Sequence, residues 1–182
     1  MSRPRPTPEA LRAAYGRTLP DVIGPELDIL FVGINPSLYS VVVRHHFARP
    51  GNRFWPALHR SGLIPRPLTP QEDDQLVAHG LGLTNIARRA TARADEVSAE
   101  ELARGRRTLV RKVRRYRPRC VAILGVTAYR QAFERPKAEM GPQPRPLGGA
   151  ALWVLPNPSG LNAHYQIPDL ARMYGELRAF QG

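Results

Sequence analysis

Ile29-Leu30-Phe31-Val32-Gly33-Ile34-Asn35-Pro36 is the stretch that decides the fold. Four apolar residues in a row, with no alternation of polar ones, read as a strand covered on both faces, the kind found in a parallel sheet packed between helices. Gly33 ends the run, and Asn35 before Pro36 is held extended because the proline ring disfavours a helical residue ahead of it. The same pattern returns in Leu81 to Ile86, a shorter strand, in Cys120 to Leu124 before Gly125, and in Leu152 to Leu155 before Pro156-Asn157-Pro158-Ser159-Gly160.

Segments of helical period lie between these runs. Asn52 can cap a helix whose Phe54, Trp55 and Leu58 share a face and which Gly62 ends. Ser98 and Glu101 form a capping box, after which Leu102, Leu109, Val110, Val113 and Tyr116 recur at helical spacing until Pro118. Thr127 is placed to cap a short helix after Gly125, and Pro168 opens a last helix that buries Leu170, Met173, Tyr174 and Leu177. Strands alternating with helices predict an α/β domain, one unit over 1–182, with residues 1–8 frayed and Pro136 to Pro146 as a surface loop.

Composition narrows the function. A formal charge of +12, from 27 basic against 15 acidic residues, favours a polyanionic partner; an arginine-rich proteome with solvated charge everywhere is the competing explanation. The arginines on the polar face of the 98–116 helix fit either a phosphate contact or solvent. Cys120 is the single cysteine, which leaves no disulfide framework, no CxxC zinc site and no four-cysteine cluster, so no metal or cofactor is expected. Without an apolar leader or a membrane-length span, the expectation is a cytoplasmic protein, nucleoid-associated if bacterial, with no membrane partner.

In an open parallel sheet the ligand site lies beyond the carboxyl ends of the strands. Two polar, proline-punctuated loops leave such ends, Gly33 to Ser40 and Asn157 to Tyr165. Taken singly, Asn35 and Asn157 are equally well read as turn residues. Together, Gly33-Ile34-Asn35-Pro36, His46-Phe47 with Pro50-Gly51-Asn52-Arg53-Phe54-Trp55, and Asn157-Pro158-Ser159-Gly160-Leu161 resemble the mismatch-specific uracil/thymine DNA glycosylases of the uracil-DNA glycosylase superfamily. Gly82-Leu83-Thr84-Asn85, Arg93 to Ser98 and Ala122 to Gly125 extend the resemblance in the same order from about residue 27 to the end.

The resemblance implies a three-layer α/β/α sandwich with a four-stranded parallel sheet. It also implies a monofunctional enzyme that everts a nucleotide from double-stranded DNA containing a mismatch or uracil and hydrolyses its glycosidic bond, as a monomer. Asn35 is then the main catalytic residue, able to orient a water but not to deprotonate it. Asp95 is either a base and cation stabiliser or a capping and ion-pairing residue beside Arg88, Arg89 and Arg93. His46 either assists catalysis or contacts a phosphate at the surface. Phe47 stacks on the base or packs in the core. Backbone near Ile34 and Phe47 and the amide of Asn157 read the uracil edge, while Leu161, with Ser159 and Gly160, forms the wedge that fills the gap.

Departures from the family pattern qualify this. Ser37 replaces a glycine, Ala163 stands where some relatives carry an arginine that reads the opposite guanine, and Asn85 matches the thymine-processing branch. Asn157 occupies the place of a histidine in the efficient uracil-specific relatives, so slow chemistry with tolerance of several bases is expected. No lysine sits in either loop, so a covalent sugar intermediate and strand nicking are not expected. The rival readings are a glycosylase for another damaged base, a DNA-binding protein without chemistry, and a nucleoside hydrolase.

Overall fold

The protein is described by a computed structural model covering residues 5–182. Its centre is a sheet of β1 (Ile29–Gly33), β2 (Leu81–Asn85), β3 (Cys120–Leu124), β4 (Gly141–Pro142) and β5 (Ala151–Leu155), in the order β2-β1-β3-β5-β4. Four of them, β1, β2, β3 and β5, run parallel and are buried along most of their length, as strands covered on both faces are. The sheet therefore has five strands rather than four. The extra one, β4, is two residues long, lies inside the proline-rich 136–146 loop and pairs antiparallel with β5 through Gly141 opposite Val154 and Pro142 opposite Trp153. Proline lacks an N–H to give to a ladder, which suits it to this outer edge.

The alternation of side chains along β1 divides the core in two. Ile29 and Phe31 face a cluster with Phe54, Leu58, Leu170 and Tyr174, so α3 (Phe54–Arg60) and α6 (Ile167–Gly175) cover one side. Leu30 and Val32 face Leu102, Leu109, Val113 and Tyr129, so α4 (Ala99–Tyr116) and α5 (Val126–Phe133) cover the other. This is a three-layer arrangement. Two shorter helices, α1 (Pro8–Ala13) and α2 (Leu38–Val43), pack together beside the β1 end through Ala14, Val41 and Ala90.

Local chemistry sets most helix ends. Ser98 Oγ accepts from Glu101 N and the Glu101 carboxylate accepts from Ser98 N, which starts α4; Arg117 in the left-handed region stops it ahead of Pro118. Asn52 Oδ1 accepts from Phe54 N at the start of α3. Thr127 does not cap α5. Gly125, at φ 135, is the cap residue and Thr127 sits inside the first turn, because only glycine tolerates the backbone bend that takes β3 into the helix. Of the residues expected to fray, 1–4 lie outside the described residues, while Thr7 accepts from Ala10 N and opens α1 at Pro8. Burial pushes the Cys120 thiol up to about 12, so it is held as an inert apolar group. Among the described residues no helix is long and apolar enough to cross a membrane.

Candidate active site

The loops that follow β1 and β5 close on one cavity of about 480 Å³, within the range of roughly 300–1,000 Å³ usual for ligand sites. Ile34, Asn35, His46, Phe47, Asp95, Asn157, Ser159 and Leu161 all line it. Gly160 does not; it lines an adjoining hollow of about 320 Å³ between the 49–53 turn and the 159–161 turn. Gly125 lets the two loops meet, since a Cβ there would lie 3.3 Å from Ile34 Cδ1 and 3.9 Å from Asn157 Cβ.

The two asparagines are held in opposite senses. Asn35 Nδ2 donates to Arg89 O at 3.0 Å and to Thr91 Oγ1 at 2.7 Å, so both amide protons are spent and Oδ1 remains as an acceptor. A carbonyl cannot donate, so the bond to Arg89 O also settles which end of the amide is nitrogen. Asn157 Oδ1 instead accepts from Ser159 N at 3.0 Å, which closes a turn and leaves the NH2 group as donor. One amide presents an acceptor and the other a donor at the same cavity.

Thr91 is a site residue that the sequence pattern does not reveal. It is 2 % exposed, lines the cavity, accepts from Asn35 and donates to Arg93 O at 2.6 Å. Arg89, whose carbonyl takes the other Asn35 proton, is pinned through its guanidinium to Glu101 and donates to Glu96 O at 3.0 Å. That pairing holds the Glu101 carboxyl down at about 2, the Arg89 hydrogen bond being the main cause.

His46 is 3 % exposed, which overturns the surface phosphate contact. Its Nε2 lies 2.8 Å from Pro20 O, so that nitrogen carries the proton and donates. Burial lowers its pKa below 6.5 and keeps the ring neutral. Its backbone is fixed as firmly, with N donating to Asp73 Oδ2 at 3.0 Å and O accepting from Trp55 Nε1 at 3.1 Å. The next residue, Phe47, has φ 51, a left-handed conformation that costs a non-glycine residue free energy and that these anchors enforce. The Phe47 ring stacks on Phe54 at 4.3 Å between centroids and also lines the cavity, so core packing and site lining are combined in one side chain.

Gly33 leaves room for this arrangement. A Cβ there would lie 2.5 Å from Asn85 Oδ1 and 3.4 Å from Phe47 Cζ. Ser37 caps α2, its Oγ accepting from Ser40 N at 3.1 Å, so the residue that departs from the family glycine shapes the cavity wall through a helix start. Asp95 sits at the exposed lip, ion-paired to Arg93, whose Nε donates to Oδ1 at 3.1 Å. Leu161 is 75 % exposed at the apex of its turn. Among the described residues no group of three or more His, Cys, Asp or Glu is placed to hold a metal ion.

The family model of the uracil DNA glycosylase superfamily matches residues 20–178, nearly the whole chain. The chain belongs to the uracil DNA glycosylase superfamily. Superfamily members are DNA glycosylases, hydrolases of N-glycosyl bonds, so the partner is DNA. The fold is similar to the solution NMR structure of a candidate uracil DNA glycosylase from Methanosarcina acetivorans, with TM-score 0.58 and 19 % identity over 90 % of this chain and 98 % of that one. At that identity the likeness concerns the fold. In this chain the cavity carries two asparagine amides held in opposite senses.

Proposed function

We propose that this chain is a monofunctional, mismatch-directed glycosylase that hydrolyses the bond between uracil and deoxyribose in double-stranded DNA, as a single-domain cytoplasmic monomer. The opposed orientation of Asn35 and Asn157 in one cavity carries the reading. Asn35 Oδ1 accepts a hydrogen bond from a water and places its oxygen on the face of C1′ opposite the base. Asn157 donates to a uracil carbonyl as the bond between C1′ and N1 breaks and its electron pair moves onto the base. Water then adds to the cationic sugar carbon, which needs only a weak nucleophile in the right place.

The remaining residues serve this step. The everted pyrimidine stacks on the face of Phe47 that Phe54 does not cover, with main chain at Ile34 and Phe47 beside its edge. Asp95, ion-paired to Arg93, supplies negative charge near the cationic sugar and takes the proton that water loses. His46 contributes as the anchored residue that fixes Phe47. Leu161 enters the vacated space in the duplex, with Ser159 and Gly160 allowing a close approach.

Single-turnover excision from G:U, A:U, G:T and single-stranded uracil substrates tests the reading. The wild type is expected to release uracil without nicking the strand, and Asn35→Ala to lose about a hundredfold or more. Asp95→Ala is expected to fall well beyond a few-fold; a smaller loss removes Asp95 from the chemistry. The G:T arm decides thymine excision, which Asn85 in the cavity wall leaves within reach. Failure to release uracil from every substrate would refute the proposal.

A further inference from the structure

The loop that carries Leu161 has no regular secondary structure between β5 and α6, yet its two legs are tied to one residue outside it. Arg53 N donates to Pro158 O at 2.9 Å on the incoming leg. Arg53 Nη1 donates to Asn162 O at 2.6 Å and to Tyr165 O at 2.9 Å on the outgoing leg. The turn between them is closed by Asn162 N donating to Ser159 O and by Asn162 Nδ2 donating to Asn157 O. Gly160 abuts the Gly51 carbonyl, where a Cβ would lie only 2.7 Å from the oxygen. An exposed leucine is thus presented on a turn whose feet are both clamped by an arginine that does not line the cavity.

We propose that Arg53 is the positioning residue of the wedge: it sets the position of the Leu161 turn and thereby controls how well the protein opens a paired duplex, without taking part in bond cleavage. The inference rests on the glycosylase reading above. Both protons of Nη1 are used, one on each carbonyl, and the rigid guanidinium plane fixes their directions, whereas a lysine ammonium, with a different reach and hydration, serves them less well. Its consequence is selective. A base that is already unpaired needs little help to leave the stack, while a base paired with adenine needs the most.

The test uses the full chain as wild type, Arg53→Met, Arg53→Lys, Leu161→Ala and the Arg53→Met/Leu161→Ala pair. Single-turnover excision is measured on uracil paired with adenine, uracil opposite guanine, and uracil in an extrahelical loop. Arg53→Met is expected to lose roughly ten- to hundredfold on A:U, since hydrogen bonds from a charged donor are at stake, less on G:U, and under threefold on the looped-out base. Arg53→Lys falls between, and the double variant is no slower than the worse single one, because both changes disable the same element. Equal losses on all three substrates, or additive losses in the double variant, overturn the proposal. Amide hydrogen exchange provides a readout independent of activity: Arg53→Met should speed exchange at Ser159 to Asn162 while the β-strands keep their protection. Unchanged exchange in that turn overturns the proposal whatever the activity, whereas no excision by the wild type with loosened exchange in the variant overturns the functional reading and leaves the clamp standing.

Discussion

Replacing Thr91 by valine keeps the shape of the side chain and deletes one hydroxyl. That hydroxyl accepts from Asn35 Nδ2 at 2.7 Å and donates to Arg93 O at 2.6 Å, so valine strands one half-buried donor and one acceptor. Leaving a buried donor without a partner costs about 1–3 kcal/mol, an upper range for the half-buried Asn35 amide. The Arg89 carbonyl still holds the second amide proton, so Asn35 cannot turn freely, but its Oδ1 is no longer fixed in two directions. If that cost falls on the transition state, excision slows by roughly five- to 150-fold, at about 1.4 kcal/mol per factor of ten. The assay is single-turnover uracil release with enzyme in excess, read beside the melting temperature and the affinity for an uncleavable duplex. The rate should fall with affinity unchanged, and Thr91→Ser, which keeps the hydroxyl, should return most of it. A valine variant as fast as wild type, or a serine variant as slow as valine, would show that Asn35 does not depend on this contact.

Gly105→Ala places a Cβ against the Ile86 carbonyl oxygen, which no side-chain rotation can relieve, so α4 must shift from the sheet. Overpacking of this kind costs about 1–3 kcal/mol, and an unchanged urea midpoint would contradict it. Glu101 has its folded pKa depressed from 4.5 to about 2, so its share of stability is present above about pH 4.5 and is lost as pH falls toward 2; a pH series of melts should show that loss in wild type and not in Glu101→Gln. His46 has its folded pKa lowered by burial, so the unfolded chain takes up the proton first and stability declines as pH falls below 6.5. Imidazole nitrogen shifts at pH 6.5 should report a neutral, Nε2-protonated ring; a doubly protonated ring would contradict the lowering by burial, and a ring protonated at Nδ1 alone would contradict the Pro20 contact.

The parts of this structure written in contiguous residues were legible in the sequence. The four parallel strands follow from apolar runs that end at glycine, asparagine or proline, and α4 from a capping box followed by helical spacing. The fifth strand was hidden because two residues, one of them proline, have no period to detect; β4 is a strand only by virtue of the β5 edge beside it. The start of α5 was misplaced because a threonine in the first turn resembles a cap, whereas the bend at Gly125 decides the boundary. Family resemblance brought Asn35, Phe47 and Asn157 to attention. Thr91, Arg89 and Asp73 escaped because their partners lie 27 to 56 residues away in the chain and only folding joins them.

The near-contact of Gly160 with the Gly51 carbonyl has a consequence for how such a protein diversifies. In the hollow beside the cavity the two turns meet main chain against main chain, so no side chain longer than hydrogen fits at Gly160 without moving them apart. Under the proposed function, substitutions at Ser37 or Asn85, which line the cavity, would alter which base is accepted apart from the turn that carries Leu161, so the two traits could vary as separate heritable quantities.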